Sequence, residues 1–132
     1  MRLPVLLLAV LLCCPLPLLS QASPDYHSNP KFQSSIAEAR KLTRSQQYFF
    51  AIDAYKKANK IAGGKDGACL RDLLDLQMKT GRFKDAEATA SAFEAIATTP
   101  LEKSFAKTTR GRALYLQAGD RNKTDLLNAA DA

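Results

Sequence analysis

One spacing constrains this chain more than any other. Ala51 stands three residues after Tyr48 and Ala86 three residues after Phe83, and the two pairs are 35 residues apart. Positions three apart share one face of a helix. On such a face alanine lets a second helix cross at close range. The aromatic ring one turn earlier fills the gap beside the crossing. In the first copy the pattern continues through Tyr55 to Ala58. A pattern that returns at this interval specifies similar helix pairs stacked on one another, each burying the next one's apolar face.

The punctuation of the chain agrees. Breakers fall at Gly63-Gly64, Gly67, Gly81, Thr99-Pro100 and Gly119, and no valine follows Val10. Between them Ala, Leu, Lys, Arg, Gln and Glu predominate, all good helix formers. Few β-branched runs and thin aromatic content argue against a sheet. The spacing predicts helices over 30–44, 46–61, 67–80, 83–97, 100–118 and 124–132. Asn29-Pro30 and Asp66 are expected helix starts, and Thr99-Pro100-Leu101-Glu102 carries a capping box. Gly81 is placed to end one helix in the left-handed conformation and turn into the next. Gln46 holds the equivalent place in the first copy, where a looser turn is expected. Residues 67–97 are expected to form the best-packed pair, with Ala86 at its crossing.

The first twenty-two residues read as targeting rather than folding. Every residue from Leu3 to Leu19 is apolar, counting Pro and Cys, after a positive Met1-Arg2 start. Pro4, Pro15 and Pro17 interrupt that run, and Ser20-Gln21-Ala22 offers small residues for cleavage after Ala22. Residues 1–22 are therefore expected to be a signal peptide, and the mature protein to be periplasmic or secreted with no membrane segment. Cys13 and Cys14 leave with it, so Cys69 has no internal disulfide partner. Residues 23–29 form a polar leader without periodicity.

The Tyr48-x2-Ala51-x3-Tyr55-x2-Ala58 and Gly81-Arg82-Phe83-x2-Ala86 patterns, on the second helices of successive pairs, resemble the tetratricopeptide repeat, a helix–turn–helix unit of roughly 34 residues. That resemblance implies an all-α solenoid of about two and a half repeats, with units near 30–64, 66–99 and an incomplete 100–132. The repeat-packing residues are Tyr48, Ala51, Tyr55, Ala58, Gly81, Phe83 and Ala86. In the third unit Gly119 is expected to stop the first helix, residues 120–124 to form a loop, and Leu126, Leu127, Ala129 and Ala130 to leave an uncapped apolar edge. The chain then reads as a fragment of a longer protein.

The resemblance also implies a function. First helices of such units line a concave face that grips an extended peptide. Counting from the matched alanines, that face holds Ile36, Arg40, Thr43 and Arg44 in the first unit and Arg71, Asp75, Met78 and Lys79 in the second. Arg40 and Asp75 stand where the family's best-known peptide clamp has asparagine, which argues against a chaperone's C-terminal carboxylate as ligand. These charges read either as a basic groove for an acidic segment or as charges that only keep the surface soluble. The partner is a protein or peptide, and no catalytic residue, cofactor or metal ligand is expected. Export and loosely spaced repeats resemble, in addition, bacterial proteins in which such repeats precede a thioredoxin-like thiol-disulfide oxidoreductase domain. No Cys-x-x-Cys stands in this chain, so that activity would lie beyond residue 132.

Other features carry less. The chain has 19 Lys+Arg against 13 Asp+Glu, a net charge of +6. The lysines are spread through the helices and form no recognition element, so nucleic acid is not an expected partner. His27, the sole histidine, reads as a solvated leader residue. Cys69 reads as a buried small hydrophobe, with pairing to another chain as the alternative. Gly63-Gly64-Lys65-Asp66-Gly67 lacks the ending of a phosphate loop and no strand precedes it. Asn122-Lys123-Thr124 matches a glycosylation acceptor in the expected loop.

Overall fold

The computed structural model describes residues 25–130, with side chains described through residue 123. A short 3-10 turn, Tyr26–Ser28, precedes five helices: α1 (Pro30–Arg44), α2 (Tyr48–Ile61), α3 (Gly67–Lys79), α4 (Phe83–Ile96) and α5 (Pro100–Ala130). Each helix packs on the next through a short connection, so neighbours run antiparallel. The fold is all-α and repeat-like, with no strand among the described residues. The expected signal segment and its cleavage site lie outside the described residues, as do the side chains of Leu126, Leu127, Ala129 and Ala130.

Side-chain caps set three of the starts. Asn29 Oδ1 accepts from the Lys31 N–H at 2.9 Å with Pro30 at the first helical position. Asp66 Oδ1 accepts from the Cys69 N–H at 2.6 Å. At α5 the Glu102 N–H donates to Thr99 Oγ1 at 3.2 Å, and the Thr99 N–H donates back to Glu102 Oε2 at 3.1 Å. These backbone and hydroxyl donors from Thr99 hold the Glu102 carboxyl below its ordinary pKa. The caps act locally, through one side chain and the first free amides of the helix.

The turn at Gln46 is as tight as the one at Gly81, contrary to the sequence expectation. Gln46 has φ 60° and Gly81 φ 74°. In both turns the same pair of backbone bonds closes the helix end. The Gln46 N–H reaches Thr43 O at 3.1 Å and the Gln47 N–H reaches Leu42 O at 2.9 Å, while Gly81 and Arg82 reach Met78 O and Gln77 O at 3.4 and 2.9 Å. The helix end dictates the left-handed residue, and glutamine adopts it at a steric cost glycine avoids.

The core runs along the stack. Ala51, Ile52, Ala54, Tyr55 and Ala58 of α2 are buried between Phe32 and Ala39 of α1 and Cys69, Leu73 and Leu76 of α3. Further along, Leu74 of α3 meets Ala86 and Ala90 of α4 and Ala113 of α5. Leu70, Phe93 and Ala106 close the other end of that interface. Ala51 and Ala86, the expected crossing residues, are both fully buried. Yet α1 packs on α2, and α4 on α5, more extensively than α3 on α4. Gln77 is also buried against this region, its Oε1 lacking any hydrogen-bond partner.

Residues 100–130 form one helix where two helices and a loop were expected. Gly119 lies inside it, and among the described glycines only Gly63, Gly64 and Gly81 take positive φ. A lone glycine costs a helix about 1 kcal/mol relative to alanine, too little to stop it among good helix formers. Gln117 and Asp120 lie beside Gly81 and Phe83, so α5 passes the start of α4 and continues beyond it. Nothing there turns the chain back. Asn122 is consequently an exposed helical residue rather than a loop residue.

Candidate functional site

With α2 behind them, α1 and α3 stand side by side and leave a trough between them. One part, about 290 Å³, is lined by Arg40, Thr43 and Arg44 of α1, by Asp72, Asp75 and Leu76 of α3, and by Tyr55 at its floor. A second part, about 380 Å³, extends towards the chain's N-terminal end past Ile36, Asp66 and Cys69 to His27. Arg40 and Asp72 line both parts, which makes the trough continuous.

The floor is fixed. Tyr55 is buried by the helices around it, and its hydroxyl donates to Asp72 Oδ2 at 3.0 Å. Burial, reinforced by the Asp72 charge and that hydrogen bond, pushes the Tyr55 phenol up to about 12, against weaker opposing effects of Arg40 and Thr43. Thr43 itself donates to Ala39 O at 2.8 Å, which anchors the α1 edge. On the other wall, burial raises the Asp75 carboxyl and the Asp72 charge adds to it, while Arg71 opposes. Asp72 and Asp75 lie three residues apart and Arg40 and Arg44 four apart, so each pair occupies one face of its helix. None of these four groups forms an ion pair among the described residues.

Five of the eight expected groove residues therefore meet here: Ile36, Arg40, Thr43, Arg44 and Asp75. The other three serve elsewhere. The Arg71 guanidinium lies over the Phe105 ring at 5.3 Å. Met78 packs on the cluster of Leu74, Ala86, Ala90 and Ala113. The Lys79 ammonium donates to the Tyr48 hydroxyl at 2.7 Å and sits 4.1 Å above that ring. Asp72 was not foreseen, and Tyr55 was foreseen only as packing. The groove is also not basic: with two arginines on α1 and two aspartates on α3, its walls carry opposite signs.

The leader is more ordered than its composition implies. Asp25 caps the 3-10 turn through the His27 N–H at 3.1 Å, and Gln33 Nε2 donates to His27 O at 2.8 Å. The Tyr26 ring lies tilted against His27 at 4.3 Å and meets Phe32 edge-on at 5.2 Å. His27 Nε2 lies 3.8 Å from Asp66 Oδ2. The three rings gather apolar surface that a sequence of turn formers does not advertise.

Cys69 is buried beneath the second part of the trough, its thiol donating to Tyr55 O at 3.5 Å. Burial, with smaller contributions from Asp66 and Asp72, pushes this thiol up to about 12. A thiol so held is protonated at neutral pH and is a poor nucleophile. Among the described residues no group of His, Cys, Asp and Glu is arranged to hold a metal ion. No described helix is long and apolar enough to cross a membrane. Elsewhere some surface charges pair, as in Lys56–Asp85 at 3.0 Å and Arg110 with Glu87 and Glu94 at 3.5 Å. Comparison of the chain with protein-family models, curated proteins and solved structures gives no match.

Proposed function

We propose that this chain is a non-catalytic binding module of the tetratricopeptide-repeat type in an exported protein, and that it holds an extended segment of a partner protein in the α1–α3 trough. One observation carries the reading. Arg40 and Arg44 face Asp72 and Asp75 across a preformed trough with a fixed tyrosine floor, and none of these four side chains forms an ion pair among the described residues. Charges that serve only to solvate a surface do not need a preformed hollow. A hollow lined by backbone-anchored helices with polar groups at its rim is what a segment-binding site requires. The one described cysteine is buried and held protonated, which favours binding over thiol chemistry in this part of the chain.

The test is a titration of isotope-labelled protein with a panel of short capped peptides of differing charge pattern, followed by amide chemical shifts. Saturable shifts confined to Arg40, Thr43, Arg44, Tyr55, Asp72 and Asp75 are the expected result. A panel that moves none of these amides, or moves amides scattered over all five helices, refutes the reading. For the export part, N-terminal sequencing of the protein recovered outside the cytoplasm is expected to begin at Ser23. An intact Met1 refutes it.

A further inference from the structure

The two walls of the trough face each other without neutralising one another. Arg40 and Arg44 stand about 6 Å apart along α1, and Asp72 and Asp75 about 4.5 Å apart along α3, at roughly 1.5 Å of helix rise per residue. Tyr55 occupies one oxygen of Asp72, and the other has no hydrogen-bond donor among the described residues. The Asp75 carboxyl is raised by partial desolvation and by the Asp72 charge, and an arriving cation offsets the repulsion between the two carboxylates. Arg44 is exposed and engages nothing across the gap.

An extended backbone sends successive side chains to opposite sides, and side chains on one side recur about every 6.6 Å. A segment lying along the trough therefore presents alternate residues to α1 and to α3, at a repeat that flexible charged side chains can match to both walls. We propose that the trough selects an extended peptide in which basic and acidic residues alternate, its Lys or Arg side chains meeting Asp72 and Asp75 and its carboxylates meeting Arg40 and Arg44. A uniformly acidic segment would set carboxylates against the aspartates. A uniformly basic one would set ammonium groups against the arginines. This inference rests on the reading of the trough as a peptide site and deepens it.

Four capped peptides test it on the full protein at low ionic strength: Ala-Lys-Glu-Lys-Glu-Ala, its block isomer Ala-Lys-Lys-Glu-Glu-Ala, and the all-Glu and all-Lys forms. The alternating peptide is expected to bind about fivefold tighter than its isomer, the scale of one or two exposed ion pairs. Raising the salt concentration is expected to erase that advantage. Asp75→Lys leaves α3 with one charge of each sign and the trough net positive, and is expected to move the preference to the all-Glu peptide; Arg44→Glu leaves it net negative and is expected to move the preference to the all-Lys peptide. Both positions are exposed, so circular dichroism and melting are expected to match the parent protein. Equal binding of all four peptides, with shifts still at the trough, overturns the charge pattern and leaves the peptide site standing. Unchanged ranking in Asp75→Lys overturns it too. If no peptide moves the trough amides, both readings fall.

Discussion

Gln46 offers the sharpest test of how the hairpins are closed. Its φ of 60° places an ordinary side chain where the second repeat has Gly81 at 74°. An L-residue in this region is disfavoured by about 1–2 kcal/mol. Replacing it by glycine removes that cost, while the unfolded chain gains freedom that returns about 0.5–1 kcal/mol of it. The net expectation for Gln46→Gly is stabilisation by about 0.5–1 kcal/mol. Nothing else is lost, because the Gln46 side chain is exposed and both closing bonds are made by backbone groups at 3.1 and 2.9 Å. For a domain of this size that corresponds to a rise in Tm of roughly 2–8 °C.

The assay is thermal melting followed by far-ultraviolet circular dichroism, with two companions. Gln46→Ala keeps the strain and is expected to leave Tm nearly unchanged. Gly81→Gln introduces the strain into the second hairpin, where no Cβ contact interferes, and is expected to lower Tm by a similar amount. If Gln46→Gly melts at or below the parent temperature while Gly81→Gln is neutral, the left-handed closure is not what limits these turns. The reasoning then fails at its first step.

Three further expectations follow from the interior and from α5. Gly119→Ala is expected to raise stability by about 0.5–1 kcal/mol in chemical denaturation, since the residue is mid-helix with open space around it; a loss of stability would mean that Gly119 is a helix stop after all. Gln77→Leu, which copies Leu42 one repeat earlier, is expected to gain about 1 kcal/mol by removing an unpaired buried carbonyl, and a lower Tm would show that the amide has a partner. Cys69 and Tyr55 titrate from 9.0 and 10.0 in the unfolded chain to about 12 in the fold, so the unfolded state sheds protons first and stability must fall as pH rises from 9 towards 12; a Tm that stays flat across that window contradicts their burial.

The parts of the fold that could be read in the sequence are those decided within one turn of helix. Asn29, Asp66 and the Thr99–Glu102 pair cap because a side chain and an amide three or four residues away settle the matter between them. Ala51 and Ala86 were found because a crossing point demands a small residue and the period repeats it. Two features decided at longer range were not legible. Gln46 adopts a glycine conformation because α2 must return along α1, which outweighs a local steric preference. Gly119 fails to stop α5 because a glycine turns a helix only where another element receives the chain. Gly81 and Phe83 lie beside Gln117 and Asp120, along the side of α5, and the space around Gly119 is open.

The site divides along the same line. On α1 the residues counted from the alanines, Ile36, Arg40, Thr43 and Arg44, line the trough. On α3 the same count selected the line through Arg71, Asp75 and Met78, and that line straddles two interfaces. Its outer members turn towards α5, where Arg71 covers Phe105 and Met78 joins the alanines of α4. One position further round, Asp72 faces α1. A single residue rotates a helical position by about 100°, so a one-place error in register exchanges one interface for the next. The signal that could have found Asp72 was present in Asp75 itself, since a carboxylate three residues away shares its face. With Arg71 and Lys79 engaged elsewhere and Asp72 added, the trough loses its basic excess. Unopposed arginines would favour acidic segments, whereas two arginines opposed by two aspartates support the proposal that the trough reads the order of charges along a ligand.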